Sequence, residues 1–372
     1  VSAATQSGTT PQATALARPI MKIGDRAVSV RDLLQAMRAE DASDLFLQTG
    51  SPVRMKKSGR VATMPTPNLT RAMVNHVMTC FLSSDEIQAL GRRTTADMVY
   101  SEGLIRYRVH FAFGHTGPYA AIRVIGADIP ALDDLHLPHP VLDRLKQVRN
   151  GLLIICGATD AGKTVTSSSY IDYLNEHEEL AILTLEDPIE YLHSPKRSMV
   201  VQKEIGLHSP TFAAGLRSAL RENVDVIFVG EMRERETIEQ VLRAGETGHL
   251  VVATLHADDP LAAILRVVGT FPPDDQPRIR QSLSATLTGV VFQRLLPRLS
   301  KEGGRVPCVE SLWATTAVKA IVRGGDMGKL ASYTGRATGG VGYRDCLLDL
   351  RSFNEISEET LQAELHRLKA GE

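Results

Sequence analysis

Hydrophobic positions recur along this chain in two rhythms, and the rhythm changes near residue 141. Behind Ser29, which reads as an N-cap, Val30, Leu33, Leu34 and Met37 fall at helical spacing. Residues 42–52 read as a strand ending in a turn, and 53–64 as its hairpin partner, turning at Ser58-Gly59. A second amphipathic helix starts at Thr70, with Met73, Val74, Val77, Met78 and Phe81 on one side, and a third covers residues 84–90. Residues 105–113 then alternate with period two: Ile105, Tyr107, Val109, Phe111 and Phe113 face one way, Arg106, Arg108 and His110 the other. After a turn at 114–118 the returning strand carries Arg123. The Thr/Ala/Gln/Ser bias of residues 1–22 predicts a disordered tail. Residues 23–125 read as a small α+β domain with an antiparallel sheet, and 126–140, rich in Leu, Pro and His, as a linker and hinge.

From residue 141 strands and helices alternate: strand 151–156, helix 163–176, strand 180–186, helix near 211–221, strand 224–230, helix 234–246, strand 249–255. That order predicts an α/β core, a mostly parallel sheet covered on both faces, over 141–298 with its following helices. Beyond about 260 the chain reads as mainly helical, with a hairpin around Lys301–Gly304. Residues 299–372 are thus expected to form a mainly helical region, its last helix over 357–369 with Leu361, Leu365 and Leu368 on one face.

The chemistry gathers at one stretch. Leu152 to Cys156 is an uninterrupted apolar run, the mark of a strand buried on both faces. Directly after it, Gly157-Ala158-Thr159-Asp160-Ala161-Gly162-Lys163-Thr164 matches the G-x-x-x-x-G-K-[ST] phosphate-binding loop, with Val165 continuing into a helix. Glycines let the backbone N–H groups turn inward as an anion nest, and the helix that follows points its positive end at the phosphates. Lys163 would reach the β- and γ-phosphates of a nucleoside triphosphate, and the Thr164 hydroxyl would ligate Mg²⁺.

Ligands of a doubly wound sheet sit beyond the carboxyl ends of its strands, and three later strands here end in capable residues. Strand 180–186 runs into Glu186 and, four residues on, Glu190; strand 224–230 into Glu231; strand 249–255 into His256. Glu231 stands where a carboxylate is needed for Mg²⁺, held directly or through water. Glu190 and Glu186 are the candidates to orient and deprotonate a water, and Glu231 could do both jobs. His249 and His256 could sense a γ-phosphate, against the bland alternative of strand-end histidines satisfied by backbone. Arg106, Arg108 and Arg123 read equally as a solvated sheet face or as a phosphate-facing one.

Composition adds bounds. Hydrophobic residues are 43% and charged residues 23%, as in ordinary globular proteins, and a formal net charge of -1 gives no support for a protein that tracks nucleic acid. No apolar run approaches the ~20 residues that span a bilayer. The four cysteines lie far apart with no CxxC pair, which excludes a local zinc knuckle and fits a reducing compartment.

With these motifs the chain resembles the type IV pilus retraction ATPases, the PilT family, within the larger group of secretion ATPases. ILTLEDPIEYLH (182–193) is similar to the family's aspartate box, VDVIFVGEMRERETI (224–238) to its Walker B segment and TGHLVVATLHADD (247–259) to its histidine box. Residues 271–297 resemble the helical stretch that follows, and 42–53 with 106–125 resemble the N-terminal PAS-like domain. The resemblance implies a RecA-like P-loop domain after a PAS-like α+β domain, and an ATPase using ATP and Mg²⁺. It implies Glu231 as the Walker B acid, Glu190 as the water-activating base, His256 and His249 as the box histidines, and Arg106, Arg108 and Arg123 as arginines on the nucleotide. It further implies a homo-hexameric ring, cytoplasmic and peripheral at the inner face of the bacterial inner membrane. There it would work on a pilus platform protein in that membrane, with a paralogous retraction ATPase as a second partner and no direct nucleic-acid binding.

Extension and type II secretion ATPases usually carry two CxxC pairs and an extra N-terminal domain, so their absence here points to the retraction type. Against the family's usual GPTGSGKST, Asp160 and Ala161 replace Gly-Ser. A carboxylate there opposes a triphosphate unless its side chain turns outward. Two alternatives stay open: the ATPase of a type IV secretion or conjugation system, and an ATP-binding accessory subunit that does not hydrolyse.

Overall fold

In the computed structural model, residues 15–57, 60–90, 95–102, 105–125, 129–300, 303–335 and 338–371 are described. The chain divides into two units, Val1–Ala127 and Asp128–Glu372.

The first unit opens with a two-stranded hairpin, β1 (Pro19–Ile23) and β2 (Arg26–Ser29). Ser29 ends it and starts the helix Val30–Ala39: its Oγ accepts from the Asp32 N–H at 3.2 Å while the Asp32 carboxylate accepts from the Ser29 N–H at 2.8 Å. This reciprocal cap satisfies two helix-start donors at once. The remaining strands are β3 (Asp44–Gln48), β4 (Arg54–Lys57), β5 (Arg60–Thr63), β6 (Thr95–Glu102), β7 (Ile105–Gly114) and β8 (Gly117–Ile125). They form one antiparallel sheet in the order β5-β4-β3-β8-β7-β6. Leu33, Leu34 and Met37, with Val74, Val77 and Phe81 of the helix Arg71–Phe81, share a core with Tyr107, Val109, Phe111 and Ile122 of the sheet. The period-two alternation therefore faces the core as expected up to Phe111, while Phe113 is exposed near the strand end.

One expectation is corrected in this unit, and one strand is added to it. The tail does not run to residue 22: Leu16 is fully buried, Ile20 and Met21 join the same core, and Pro19–Ile23 is a strand. Residues 1–14 of that expectation, and the expected turn at Ser58-Gly59, lie outside the described residues. Strand β6, which no clean alternation announced, pairs with β7 along its whole length.

The second unit holds β9 (Gly151–Cys156), β10 (Ala181–Glu186), β11 (Met199–Glu204), β12 (Val226–Val229), β13 (Leu250–Leu255), β14 (Leu287–Pro297) and β15 (Arg305–Trp313). Their order is β11-β10-β12-β13-β9-β14-β15, parallel throughout except for β15, which returns antiparallel to β14. Strands β9, β12 and β13 are buried at every position, as apolar runs covered by helices on both faces must be.

The expectation of a mainly helical chain beyond 260 fails at its centre. Residues 271–297 form the helix Gln276–Thr286 and then β14, an eleven-residue strand lying directly against β9. The region 299–372 opens with β15 before its helices, which include Thr316–Gly324, Tyr343–Ser352 and Glu358–Gly371. The turn between β14 and β15 is where it was expected, although Lys301 and Glu302 lie outside the described residues. The linker also shrinks: Leu132 and Leu137 are buried in the second unit's core, just ahead of the helix His139–Gln147, and 126–128 lie outside the described residues. Among the described residues no helix is long and apolar enough to cross a membrane.

Leu16 tests the redrawn start of the first unit. Leu16→Ala is expected to destabilise that unit by about 2–5 kcal/mol, the cost of a buried leucine cavity, in urea unfolding followed by circular dichroism. A disordered tail would leave the transition where it was.

Candidate nucleotide site

The site begins where β9 ends. Gly157 and Gly162 bracket the phosphate loop, and Gly162, at φ 84, caps the helix Lys163–His177. A side chain on Gly157 would overlap the Gln293 carbonyl oxygen, and one on Gly162 would come within 2.7 Å of Gln293 Nε2. Gln293 lies on β14 and is only 2% exposed. Its Nε2 donates to the Ala161 carbonyl at 2.8 Å, and its Oε1 accepts from Thr166 Oγ1 at 2.7 Å. The loop is thus seated on a buried amide that ties its backbone to the following helix. Sequence reasoning missed Gln293 because its segment read as helix; a Gln-Arg pair set between the apolar residues 290–292 and 295–296 was the available signal.

Within the loop, Ala158, Thr159 and Asp160 are exposed, Ala161 is buried, and Lys163, Thr164 and Val165 are half-buried at the helix start. The Lys163 ammonium donates to the carbonyls of Gly157 at 2.9 Å and Ala158 at 2.7 Å. Burial holds its pKa below the ordinary lysine value, and the nearby charges of Glu231 and Glu190 offset this only in part. A desolvated cation with incomplete compensation is a site for an anion.

Asp160 sits at φ 66 with its side chain 78% exposed, and its carboxylate pairs with Arg305 at 2.8 Å. The outward turn that the sequence made a condition for phosphate binding is met.

Four strand ends come to about the same level. Leu185 pairs with Val229, Val229 with Ala253, and Ala253 with Ile154, so β10, β12, β13 and β9 finish together. Beyond β12, Gly230 donates to the Leu185 carbonyl at 2.8 Å, Thr254 Oγ1 donates to the Gly230 carbonyl, and Met232 donates to the Thr254 carbonyl at 2.9 Å. These bonds fix Glu231 between its neighbours. Its Oε1 lies 3.0 Å from Arg233 Nε and 3.3 Å from His256 Nε2, yet that atom is shielded from water and lacks an aligned hydrogen bond. A Glu231 oxygen without an aligned donor, on a carboxylate whose charge reaches Lys163, fits a hard divalent cation, with the Thr164 hydroxyl, next in the chain to Lys163, as a further oxygen ligand. His256 is held neutral: burial and then the Lys163 charge lower its pKa, against the pull of Glu231.

Glu186 and Glu190 part company. Glu186 is 4% exposed; it accepts from Thr184 Oγ1 at 2.6 Å, from Gln202 Nε2 at 3.1 Å and from the Glu190 backbone N–H. Gln202 also donates to the Tyr191 carbonyl at 2.8 Å and accepts from the His193 N–H at 2.9 Å. A carboxyl so enclosed does not activate water. It anchors the loop that carries Glu190, which is the correction to its expected role. Glu190 itself is half-buried, and its charge is felt at both Lys163 and Glu186.

His249 is corrected as well. It sits at the amino end of β13, where its carbonyl accepts from Gly151 N–H at 3.0 Å and its Nδ1 lies 3.1 Å from the Ala244 carbonyl. The length of β13 separates it from His256, roughly 20 Å at strand rise. Within this chain it has no part in the phosphate site.

Arg106, Arg108 and Arg123 belong to the first unit. Arg108 pairs directly across from Arg123 and Arg106 lies two residues along the strand, so all three share the sheet face opposite Tyr107 and Val109. Arg123 Nε holds Asp44 at 2.7 Å, and Arg108 reaches Asp97 at 3.5 Å.

Comparison with known proteins places this geometry. The family described as Type II/IV secretion system protein matches residues 27–339. An uncharacterized Escherichia coli protein, YggR, is 38% identical over 302 residues, 80% of this chain and 90% of its own. The type IV pilus retraction ATPase PilT of Pseudomonas aeruginosa is 33% identical over 335 residues, 89% of this chain and 96% of its own. A crystal structure of the pilus retraction motor PilT with bound ADP superimposes with a TM-score of 0.81 at 33% identity, covering 90% of this chain and 96% of that one. The chain belongs to the type II/IV secretion system protein family, with that family's mixed α/β fold on a parallel-sheet core.

Burial pushes the Glu186 carboxyl up to about 7; hydrogen bonds from Thr184 and Gln202 oppose this and the Glu190 charge adds to it. The folded state then keeps a proton that the unfolded chain releases near 4.5. The stability this contributes is present below that lower value and is lost as pH rises through about 7. Glu186→Gln should flatten this pH dependence by on the order of 2–3 kcal/mol between pH 5 and 8, measured by urea unfolding. Parallel pH profiles for the two proteins would place the proton elsewhere.

Proposed function

We propose that this secretion-family chain is a motor ATPase of the pilus-retraction type, hydrolysing ATP with Mg²⁺ and working as a hexameric ring. One observation carries the reading: a half-desolvated Lys163 in a phosphate loop, with Glu190 and Glu231 both close enough to act on its charge. Family membership and the PilT relatives support the same activity.

Each residue then has a task. The loop N–H groups and Lys163 bind and orient the β- and γ-phosphates. Thr164 and Glu231 would hold Mg²⁺, which would screen phosphate charge when bound. Glu190 takes a proton from a water whose oxygen attacks the γ-phosphorus; the bond to the bridging oxygen breaks, leaving ADP and phosphate. His256, neutral and beside Glu231, can donate a hydrogen bond to the γ-phosphate. Arg106, Arg108 and Arg123 supply positive charge to the nucleotide in the working ring. The ring works at the inner face of the bacterial inner membrane on a pilus platform protein, with a paralogous ATPase as a second partner. The accessory-subunit alternative rested on Asp160, whose carboxylate is turned outward and paired.

Glu190→Gln should lower ATP turnover roughly 10²–10⁴-fold while Mg-nucleotide affinity and hexamer mass stay unchanged. Lys163→Ala should lose nucleotide binding itself. Turnover that survives Glu190→Gln would remove the assigned base, and a wild-type ring that binds ATP without hydrolysing it would overturn the motor reading.

A further inference from the structure

The phosphate loop carries one negative side chain, and the structure puts a specific cation on it. Asp160 lies at the exposed crest of the loop in a left-handed conformation, φ 66, uncommon for a residue with a side chain. Arg305 is the first residue of β15, paired there with Pro297 at the end of β14. From that position its Nη1 donates to Asp160 Oδ2 at 2.8 Å and to the Asp160 carbonyl at 3.3 Å, and Nη2 reaches Oδ1 at 3.5 Å. A forked guanidinium thus engages both the carboxylate and the backbone of one residue, fixing the direction of the side chain as well as its charge.

We infer that Arg305 is a positioning residue for the phosphate loop, neutralising Asp160 and holding its carboxylate away from the bound triphosphate. The inference rests on the nucleotide-binding reading above. An exposed ion pair adds little to folding, so the consequence falls on the ligand. A freed carboxylate on the phosphate loop, less than about a Debye length from a ligand of about four negative charges, repels it after water and salt screening by an amount worth several-fold in affinity. The same repulsion is weaker for a diphosphate and fades as salt is raised.

The test uses the full chain as wild type, Arg305→Gln, Arg305→Lys, Asp160→Gly, the Arg305→Gln/Asp160→Gly double variant and, as a binding control, Lys163→Ala. Affinity for a fluorescent non-hydrolysable ATP analogue and for ADP is measured with Mg²⁺ at low and high salt. Arg305→Gln should bind the triphosphate roughly three- to tenfold more weakly at low salt, with a smaller loss for ADP and at 0.5 M salt. Removing the carboxylate as well, in the double variant, should restore wild-type affinity, and Arg305→Lys should recover part of it. A purely structural loss would ignore salt and ligand charge, and would persist in the double variant; that result overturns the inference. So does unchanged binding by Arg305→Gln, which would leave an idle surface pair. In both cases the nucleotide site stands, because wild type binds and Lys163→Ala does not. Failure of wild type to bind either nucleotide would instead remove the reading underneath.

Discussion

The phosphate loop can close over the end of β9 only because β14 lies so near it. Gly157 and Gly162 have no room for a Cβ beside Gln293, and the same side chain spends both ends of its amide on the loop and the following helix. A buried amide left half-paired is costly, so loop and strand hold each other in one arrangement. The glycines of the motif therefore serve two ends here, turning N–H groups inward and admitting a neighbouring strand. The neighbour arrives from 131 residues beyond Gly162 in the chain, which makes the loop's shape a tertiary property.

Around that loop, environment sorts chemically equal groups into unequal tasks. Three glutamates follow the strand ends, but only Glu186 is buried, held by Thr184 and Gln202, and burial raises its affinity for a proton. Glu231 keeps an oxygen with no aligned donor, and Glu190 remains half-buried on a loop anchored through its own N–H. One anchors, one can hold a cation, and one can meet water. Lys163 links the two outward-acting acids, since its burial exceeds what their charges repair.

What the residue pattern disclosed follows from how much each element depends on distant partners. Strands β9, β12 and β13, all apolar between glycine-rich turns, and the loop motif could be read directly. So could Glu190 and Glu231, because they follow strands at the end where such sheets bind ligands. Strand β14 could not: its mostly buried residues show no period-two alternation, and the helix Gln276–Thr286 runs straight into them. Losing β14 hid Gln293, and treating the region as helical hid Arg305. Edge strand β11 was missed because MVVQKE mixes apolar and charged positions without a covered second face. His249 was grouped with His256 by motif, though a strand's length places the two at opposite ends. Leu16 gave no signal because a single leucine between alanines, ahead of Arg18-Pro19, has no period.

Asp160 shows why a departure from a family pattern has to be weighed in three dimensions. Beside the loop alone it is an unwanted charge, and local reasoning assigns it a loss of function. Its φ of 66 directs the side chain outward, and outward is where β15 delivers a guanidinium. The two residues are 145 positions apart, so no window of sequence contains both. Sequences that break a local rule stay foldable and functional when another level of structure supplies the missing consistency. In this chain the strand pair β14–β15 supplies it twice, with Gln293 beneath the loop and Arg305 at its crest.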